Sequence, residues 1–271
     1  MSKNLIIRII VAVIFAPLII LISYTGGYWL AGMLILLAGI GAVEFLVNGK
    51  IKANMPSFWA AIIGVLGTEA VSIFVSKEWG YLVFIICFLL IGVILSLRKV
   101  PPQILYLRYT SISWAVVYLG LLYPFVYYIR KEFPVSGGDW LFFLFGTIWL
   151  SDTLAMWVGK TVGLRKLAPH ISPGKTVEGF IGGIFGGVVV ALILGYWRLS
   201  AVMLSHLLIV GVAISVIGQL GDLVESIWKR ASGIKDSSAI VPGHGGVLDR
   251  FDSLLFSAPV LYWFLKFFIY K

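Results

Sequence analysis

Apolar residues fall in long runs broken by polar links, and runs of roughly 17 to 23 residues are long enough to cross the hydrocarbon core of a bilayer. Nine such spans are predicted, at about 5–24, 28–47, 58–76, 80–97, 111–130, 140–158, 179–197, 202–224 and 253–270. The links 25–27, 76–78 and 198–200 are short, so those neighbours form helical hairpins. The links between spans 6 and 7 and between spans 8 and 9 are long and polar. This pattern predicts an all-α polytopic integral membrane protein. Residues 1–135 hold spans 1–5, read as a scaffold and oligomerisation region. Residues 136–271 hold spans 6–9, with 159–178 and 225–252 as the candidate catalytic loops.

Composition agrees with the pattern. With 60% hydrophobic residues among 271 and a mean hydropathy of +1.02, the chain has too little polar surface to cover a soluble globule. A net charge of +9 is read as the basic bias of membrane loops facing anionic lipid, not as a nucleic-acid footprint. Lys3 and Arg8 precede an apolar run in the manner of a secretory leader, yet no small-x-small cleavage site follows and Pro17 interrupts the run. The run therefore reads as a first membrane helix. Cys87 is the only cysteine and lies in apolar sequence, which excludes an intrachain disulfide and makes it a packing residue.

Nine spans place the N-terminus on the same side as the links after spans 2, 4, 6 and 8. That side carries 15 Lys and Arg against 6 on the other, which predicts a cytoplasmic N-terminus. Eight of the 15 lie in the two long loops; without them the count is 7 to 6, so parity is what puts both loops on one face.

Residues 226–252 read S-I-W-K-R-A-S-G-I-K-D-S-S-A-I-V-P-G-H-G-G-V-L-D-R-F-D and hold seven charged residues in a chain that is 12% charged. Lys229, Arg230, Lys235 and Arg250 suit anionic oxygens, and Asp236, Asp249 and Asp252 suit cations. Gly243, Gly245 and Gly246 allow close backbone approach. The stretch therefore predicts a phosphate-and-metal site.

Among acids in or beside the spans, Glu44 and Glu69 stand alone and read as snorkelling or interhelical hydrogen-bonded groups. Asp222 and Glu225 are three apart at the end of span 8, as are Asp249 and Asp252 at the entry to span 9. Asp222, Asp249 and Asp252 together offer hard oxygens suited to Mg²⁺. His244 is the one nearby nitrogen ligand, which argues against zinc. The competing reading is that Asp249 and Asp252 cap a helix and pair with Arg250 or Lys229.

The first long loop ends S-P-G-K-T-V-E-G, in which Ser172, Lys175 and Thr176 are placed to meet phosphate oxygens and Glu178 sits in the first turn of span 7. It is not a phosphate-binding P-loop, because Pro169 stands where that motif needs glycine and no strand is predicted before it. The glycines of G-G-I-F-G-G, residues 182–187, predict close helix packing.

The run 226–252 resembles the C-terminal signature of the phosphatidate cytidylyltransferase (CDP-diacylglycerol synthase) family, matching at Ser226, Lys229, Arg230, Lys235, Asp236, Pro242, His244, Gly245, Gly246, Asp249, Arg250 and Asp252. S-P-G-K-T-V-E-G resembles the family's upstream motif. In D-T-L-A-M-W, Leu154 and Met156 depart from the Gly and Tyr expected near Asp152.

The resemblance implies transfer of CMP from CTP to phosphatidic acid in an active-site cavity between the C-terminal helices, with Mg²⁺ as one or two divalent ions and room for a monovalent cation. It implies metal binding by Asp222 and Asp249. Phosphate charge falls to Lys229, Arg230, Lys235 and Arg250, with Lys175 in support, and Asp236 and Asp252 orient those groups or the metal through water. His244 donates to a phosphate oxygen, and Asp152, Ser172, Thr176 and Glu178 bind substrate. With the apolar early helices, the resemblance also suggests a homodimer. The alternatives are a CTP-dependent polyprenol kinase and an ion-coupled transporter. Charge concentrated in two loops, not in matching broken helices of two halves, argues against transport.

Overall fold

The computed structural model describes the backbone of residues 3–243 and 245–270, without the side chains of residues 3–10 and 12. Lys3, Arg8 and Lys271 of the charge count, and His244, are therefore outside the described side chains. The helices are α1 (Lys3–Thr25), α2 (Gly27–Asn48), α3 (Pro56–Phe74), α4 (Lys77–Ser96), α5 (Pro102–Ala115), α6 (Pro124–Glu132), α7 (Gly137–Thr161), α8 (Val177–Trp197), α9 (Leu204–Ala231) and α10 (Leu248–Phe264). A wider π-helical turn, Val116–Leu121, follows α5, and another, Leu265–Ile269, extends α10.

Among the described residues, eight helical stretches are long and apolar enough to cross a membrane, and Val13–Thr25 of α1 is a shorter apolar one. Every predicted span falls on a helix, and the protein is an all-α polytopic membrane protein. Two differences bear on function. Helix α9 runs to Ala231, seven residues past the predicted span end at 224, and α10 begins at Leu248, five before the predicted 253. Hydropathy registers where the apolar run stops, whereas helical hydrogen bonding continues through polar sequence. The Glu225–Lys229 pair four residues apart supports that extension, and Lys229 and Arg230 suit a helix C-terminus. Gly233, at φ 75°, then turns the chain.

The chain divides into two compact units. The first holds Gly26–Tyr128 with Asp236–Arg250. Pro56 starts α3 at a position where its missing N–H costs nothing, and the Ser76 hydroxyl caps α4 by accepting from the Trp79 N–H. Helix α2 ends in a Schellman turn: the Ile51 N–H reaches the Leu46 carbonyl at 2.9 Å, and Lys50 takes the left-handed conformation at φ 60°. Cys87 is a packing residue, with its Cβ 3.5 Å from where a Cβ on Gly64 of α3 would lie.

The second unit holds Pro17–Thr25, Ile129–Lys235 and Phe251–Lys271. Its centre is α8, whose glycines form two faces. A Cβ on Gly182 would collide with Val158, and one on Gly186 would lie 2.9 Å from the Ser151 backbone, both on α7. On the other face, a Cβ on Gly183 would lie 2.6 Å from Gln219, and one on Gly187 would strike Gly211 and Ser215, all on α9. The predicted close packing is thus observed on both sides of one helix.

Between α7 and α8 the chain forms an antiparallel hairpin of β1 (Lys166–Ala168) and β2 (Ser172–Thr176). The sequence predicts no strand here, because Pro169 and Pro173 mask segments this short. A two-stranded ribbon has free edges on both sides, which is why it accepts proline. Gly174-Lys175-Thr176 lies within β2 itself and not in a loop, so a P-loop remains excluded.

Candidate active site

The last three turns of α9 carry Asp222, Glu225, Ser226, Lys229 and Arg230, at spacings of three, four, seven and eight that put them on one helical face. Lys229 Nζ lies 3.1 Å from Glu225 Oε1, a pair whose side chains are 9% and 1% exposed. Charges this buried are costly unless paired, so each holds the other in place. Asp222 Oδ2 lies 2.7 Å from Lys175 Nζ, and its Oδ1 accepts from the Ser226 hydroxyl at 3.3 Å. The Lys175 ammonium also donates to the Gln219 carbonyl at 3.3 Å.

The hairpin fixes Lys175. The Thr176 hydroxyl caps α8 by accepting from the Gly179 N–H at 3.1 Å. Glu178 accepts from the Leu164 and Arg165 N–H groups at 3.1 and 3.2 Å and from Arg165 Nε at 2.9 Å, tying β1 to the start of α8. Arg230 donates to the carbonyls of Ile171 at 3.1 Å and Ile234 at 2.8 Å, joining the hairpin turn to the end of α9.

Helix α10 approaches α9 over Gly218 and Gly221: a Cβ on Gly218 would lie 3.1 Å from Ser257 Oγ, and one on Gly221 would lie 2.7 Å from Phe256. This approach brings buried Asp252 within electrostatic reach of Asp222, Glu225, Asp152 and Lys229. Asp252 Oδ1 also accepts from the Ser253 N–H at 2.6 Å. A tight cleft beside them, with no room for a water molecule, is lined by Ser151, Asp152, Ser215, Gln219 and Ser253 with Ile148, Ile214 and Gly218. The buried hydroxyl oxygens of Ser151 and Ser215 have no hydrogen-bond partner there.

Beyond Lys235, the signature from Asp236 to Arg250 belongs to the first unit. Asp249 Oδ2 accepts from the Ser237 N–H at 2.8 Å, the Ser237 hydroxyl at 2.9 Å and the Gly246 N–H at 2.9 Å. Glu44 of α2 accepts from the hydroxyls of Ser237 and Ser238 at 3.1 and 2.5 Å and from the N–H groups of Val247 and Leu248 at 3.0 Å each. Gly243 and Gly245, at φ 74° and 87°, make the tight turn that the Val241–Gly245 bridge closes. Lys235, Asp236 and Arg250 are exposed, and Ser172 opens β2 opposite Ala168.

Against known proteins, the model of the cytidylyltransferase family matches residues 6–268. The chain belongs to the cytidylyltransferase family. It is similar to the phosphatidate cytidylyltransferase of Bacillus subtilis (strain 168), 46% identical over 157 residues, or 58% of each chain. To that of Staphylococcus aureus (strain COL) it is 47% identical over 147 residues, 54% of this chain and 55% of the relative. These two alignments span little more than half of the relatives' length. With that of Staphylococcus haemolyticus (strain JCSC1435) the identity is 34% over 257 residues, 93% of this chain and 94% of the relative.

In this cytidylyltransferase-family chain, the donor chemistry fits Mg²⁺. Asp152, Asp222, Glu225 and Asp252 gather four carboxylates against two lysines in the second unit, with neutral hydroxyls alongside. Among the described residues no three such groups already form a ligand cage. Asp222, Glu225 and Asp252 instead turn oxygens toward Lys175, Lys229 and the Ser253 N–H. Asp249 is occupied by the N–H groups and hydroxyl of its own loop.

Several residues were not singled out by sequence. Glu44 reads in the sequence as a snorkelling or interhelical hydrogen-bonded acid, and it is hydrogen-bonded, but its link to the signature was missed; its spacing of four from Asn48, whose amide reaches the Ser237 carbonyl at 2.5 Å, was the available signal. Ser151, Ser215 and Gln219 carry no motif at all.

Proposed function

We propose that this protein is a phosphatidate cytidylyltransferase of the cell membrane, joining phosphatidic acid to the CMP moiety of CTP to give CDP-diacylglycerol and pyrophosphate. The reading is carried by 34% identity to the Staphylococcus haemolyticus phosphatidate cytidylyltransferase over 93% of this chain. The grouping of Lys175 and Lys229 with carboxylates supports it, since the reaction needs fixed cations beside acidic groups.

A phosphate oxygen of phosphatidic acid attacks the α-phosphorus of CTP. The new P–O bond forms as the bond from the α-phosphorus to the bridging oxygen breaks, and that electron pair leaves with pyrophosphate. Phosphatidic acid is already ionised, so positioning and charge neutralisation dominate and no strong general base is needed. Lys175 and Lys229 take up phosphate charge from positions fixed by the hairpin and by Glu225. Lys235 and Arg250, both exposed, neutralise the outer phosphates. Arg230 holds the hairpin with two donors and has others left for phosphate. Mg²⁺ would be held in the second unit by Asp222, with Asp252 reaching it through water, and would offset charge on the CTP phosphates; Asp249, with Asp236, would offer its carboxylate to a second ion in the first unit. The basic bias of the long loops favours a cytoplasmic site, where CTP is dissolved and the lipid headgroup is in reach. A homodimer through the early helices belongs to the same proposal.

The test is to incubate the purified protein in lipid nanodiscs with CTP, Mg²⁺ and either phosphatidic acid or a polyprenol. CDP-diacylglycerol and pyrophosphate are expected from phosphatidic acid alone. CDP with a phosphorylated polyprenol would replace this reading with a lipid kinase.

A further inference from the structure

Glu44 lies on α2 about 200 residues before the signature it touches. Gly41, Glu44 and Asn48, spaced three and seven from the first, share one helical face. A Cβ on Gly41 would lie 3.0 Å from Leu248, the Glu44 carboxylate takes four donors, and the Asn48 amide takes the Ser237 carbonyl. Glu44 is only 4% exposed, and its bonds from Ser237, Val247 and Leu248 are buried away from water. Two of its donors, the Val247 and Leu248 N–H groups, belong to the start of α10, where N–H groups lack helical partners and favour a negative charge. Gly246 is required by the same contact, because a Cβ there would lie 2.7 Å from both Glu44 oxygens.

The arrangement reaches Asp249 through one hydroxyl. Ser237 Oγ lies 3.1 Å from Glu44 Oε2 and 2.9 Å from Asp249 Oδ2. A hydroxyl has one proton, so it donates to one carboxylate at a time. We infer that Glu44 is a positioning residue for catalysis: its carboxylate clamps the start of α10 and, by competing for the Ser237 proton, sets the orientation and hydrogen bonding of Asp249. The inference rests on the cytidylyltransferase reading for its catalytic consequence and on geometry alone for the clamp.

The test compares wild type with Glu44→Gln, which keeps size but turns an amide NH₂ toward N–H donors, and with Glu44→Asp, which keeps the charge. Hydrogen exchange at the Val247 and Leu248 amides is read beside kcat and KM for CTP and phosphatidic acid. Glu44→Gln is expected to speed exchange about 10-fold or more and to lower kcat by a similar factor, with KM changed less than about 3-fold, the pattern of lost positioning rather than lost binding. Glu44→Asp is expected to recover part of both. Wild-type exchange in Glu44→Gln, or wild-type kcat, overturns the inference. Should Glu44→Gln not fold, Ser238→Ala removes one of the four donors: partial shifts in both readouts support the clamp, and wild-type values overturn it. If wild type itself transfers no cytidylyl group, the proposed function fails, and the exchange readout decides the clamp alone.

Discussion

Lys175 Nζ sits 2.7 Å from Asp222 Oδ2, joining a β-hairpin to the polar end of a membrane helix. Both side chains are partly exposed, 25% and 33%, so the pair is open to a third charged group. As a purely structural ion pair at that exposure it contributes roughly 0–1 kcal/mol. Lys175→Ala and Asp222→Asn are therefore expected to leave the unfolding temperature nearly unchanged while lowering kcat by roughly 10²–10³-fold each, the range seen when one group that stabilises transition-state charge is removed. A thermal scan alongside pyrophosphate release checks both halves; a large loss of stability with modest loss of rate would make the pair structural.

Thr176 is expected to act as a helix cap and not chiefly as a phosphate ligand, because its hydroxyl already accepts from the Gly179 N–H. Thr176→Ala should lose about 1 kcal/mol of stability, and Thr176→Ser, which keeps the hydroxyl, should retain most of it. Unfolding in detergent measures this directly.

Glycine positions should divide sharply. Gly186→Ala puts a Cβ 2.9 Å from the Ser151 backbone, so α7 and α8 must separate, at a cost of about 1–3 kcal/mol. Gly32→Ala meets nothing within 4 Å and should be neutral or stabilising by up to about 1 kcal/mol. Thermal midpoints of the two variants in the same nanodiscs test the contrast.

Chelation of divalent cations is expected to abolish CDP-diacylglycerol formation, with recovery on adding Mg²⁺. Asp222→Asn should raise the Mg²⁺ concentration needed for half-maximal rate. Isothermal titration of the protein with Mg²⁺ and CTP gives a second readout that does not depend on turnover.

Legibility in the sequence followed interaction range. The spans were visible because each hydrophobic run satisfies its own backbone and needs no distant partner to declare itself. The α9 face was visible because Asp222, Glu225 and Lys229 are separated by helical spacings. Glu44 was legible as a snorkelling or hydrogen-bonded acid but not as a clamp, because the donors it meets lie near residue 240. The hairpin was hidden for a different reason: Pro169 and Pro173 suppress every strand signal, and it is held by Glu178 and Arg230 from outside its own strands.

By itself the sequence determined a polytopic helical membrane protein, the clustering of its charge in two loops and the signature that links it to its family, because hydropathy and motif spacing are local properties of the chain. Only the tertiary structure decided that Asp222 meets Lys175, that Asp252 joins the acidic group of α9, and that Asp249 and Glu44 share Ser237. The last two depend on close approaches at glycines, Gly218 and Gly221 for Asp252 and Gly246 for Glu44, where a missing side chain matters only once its neighbour is known.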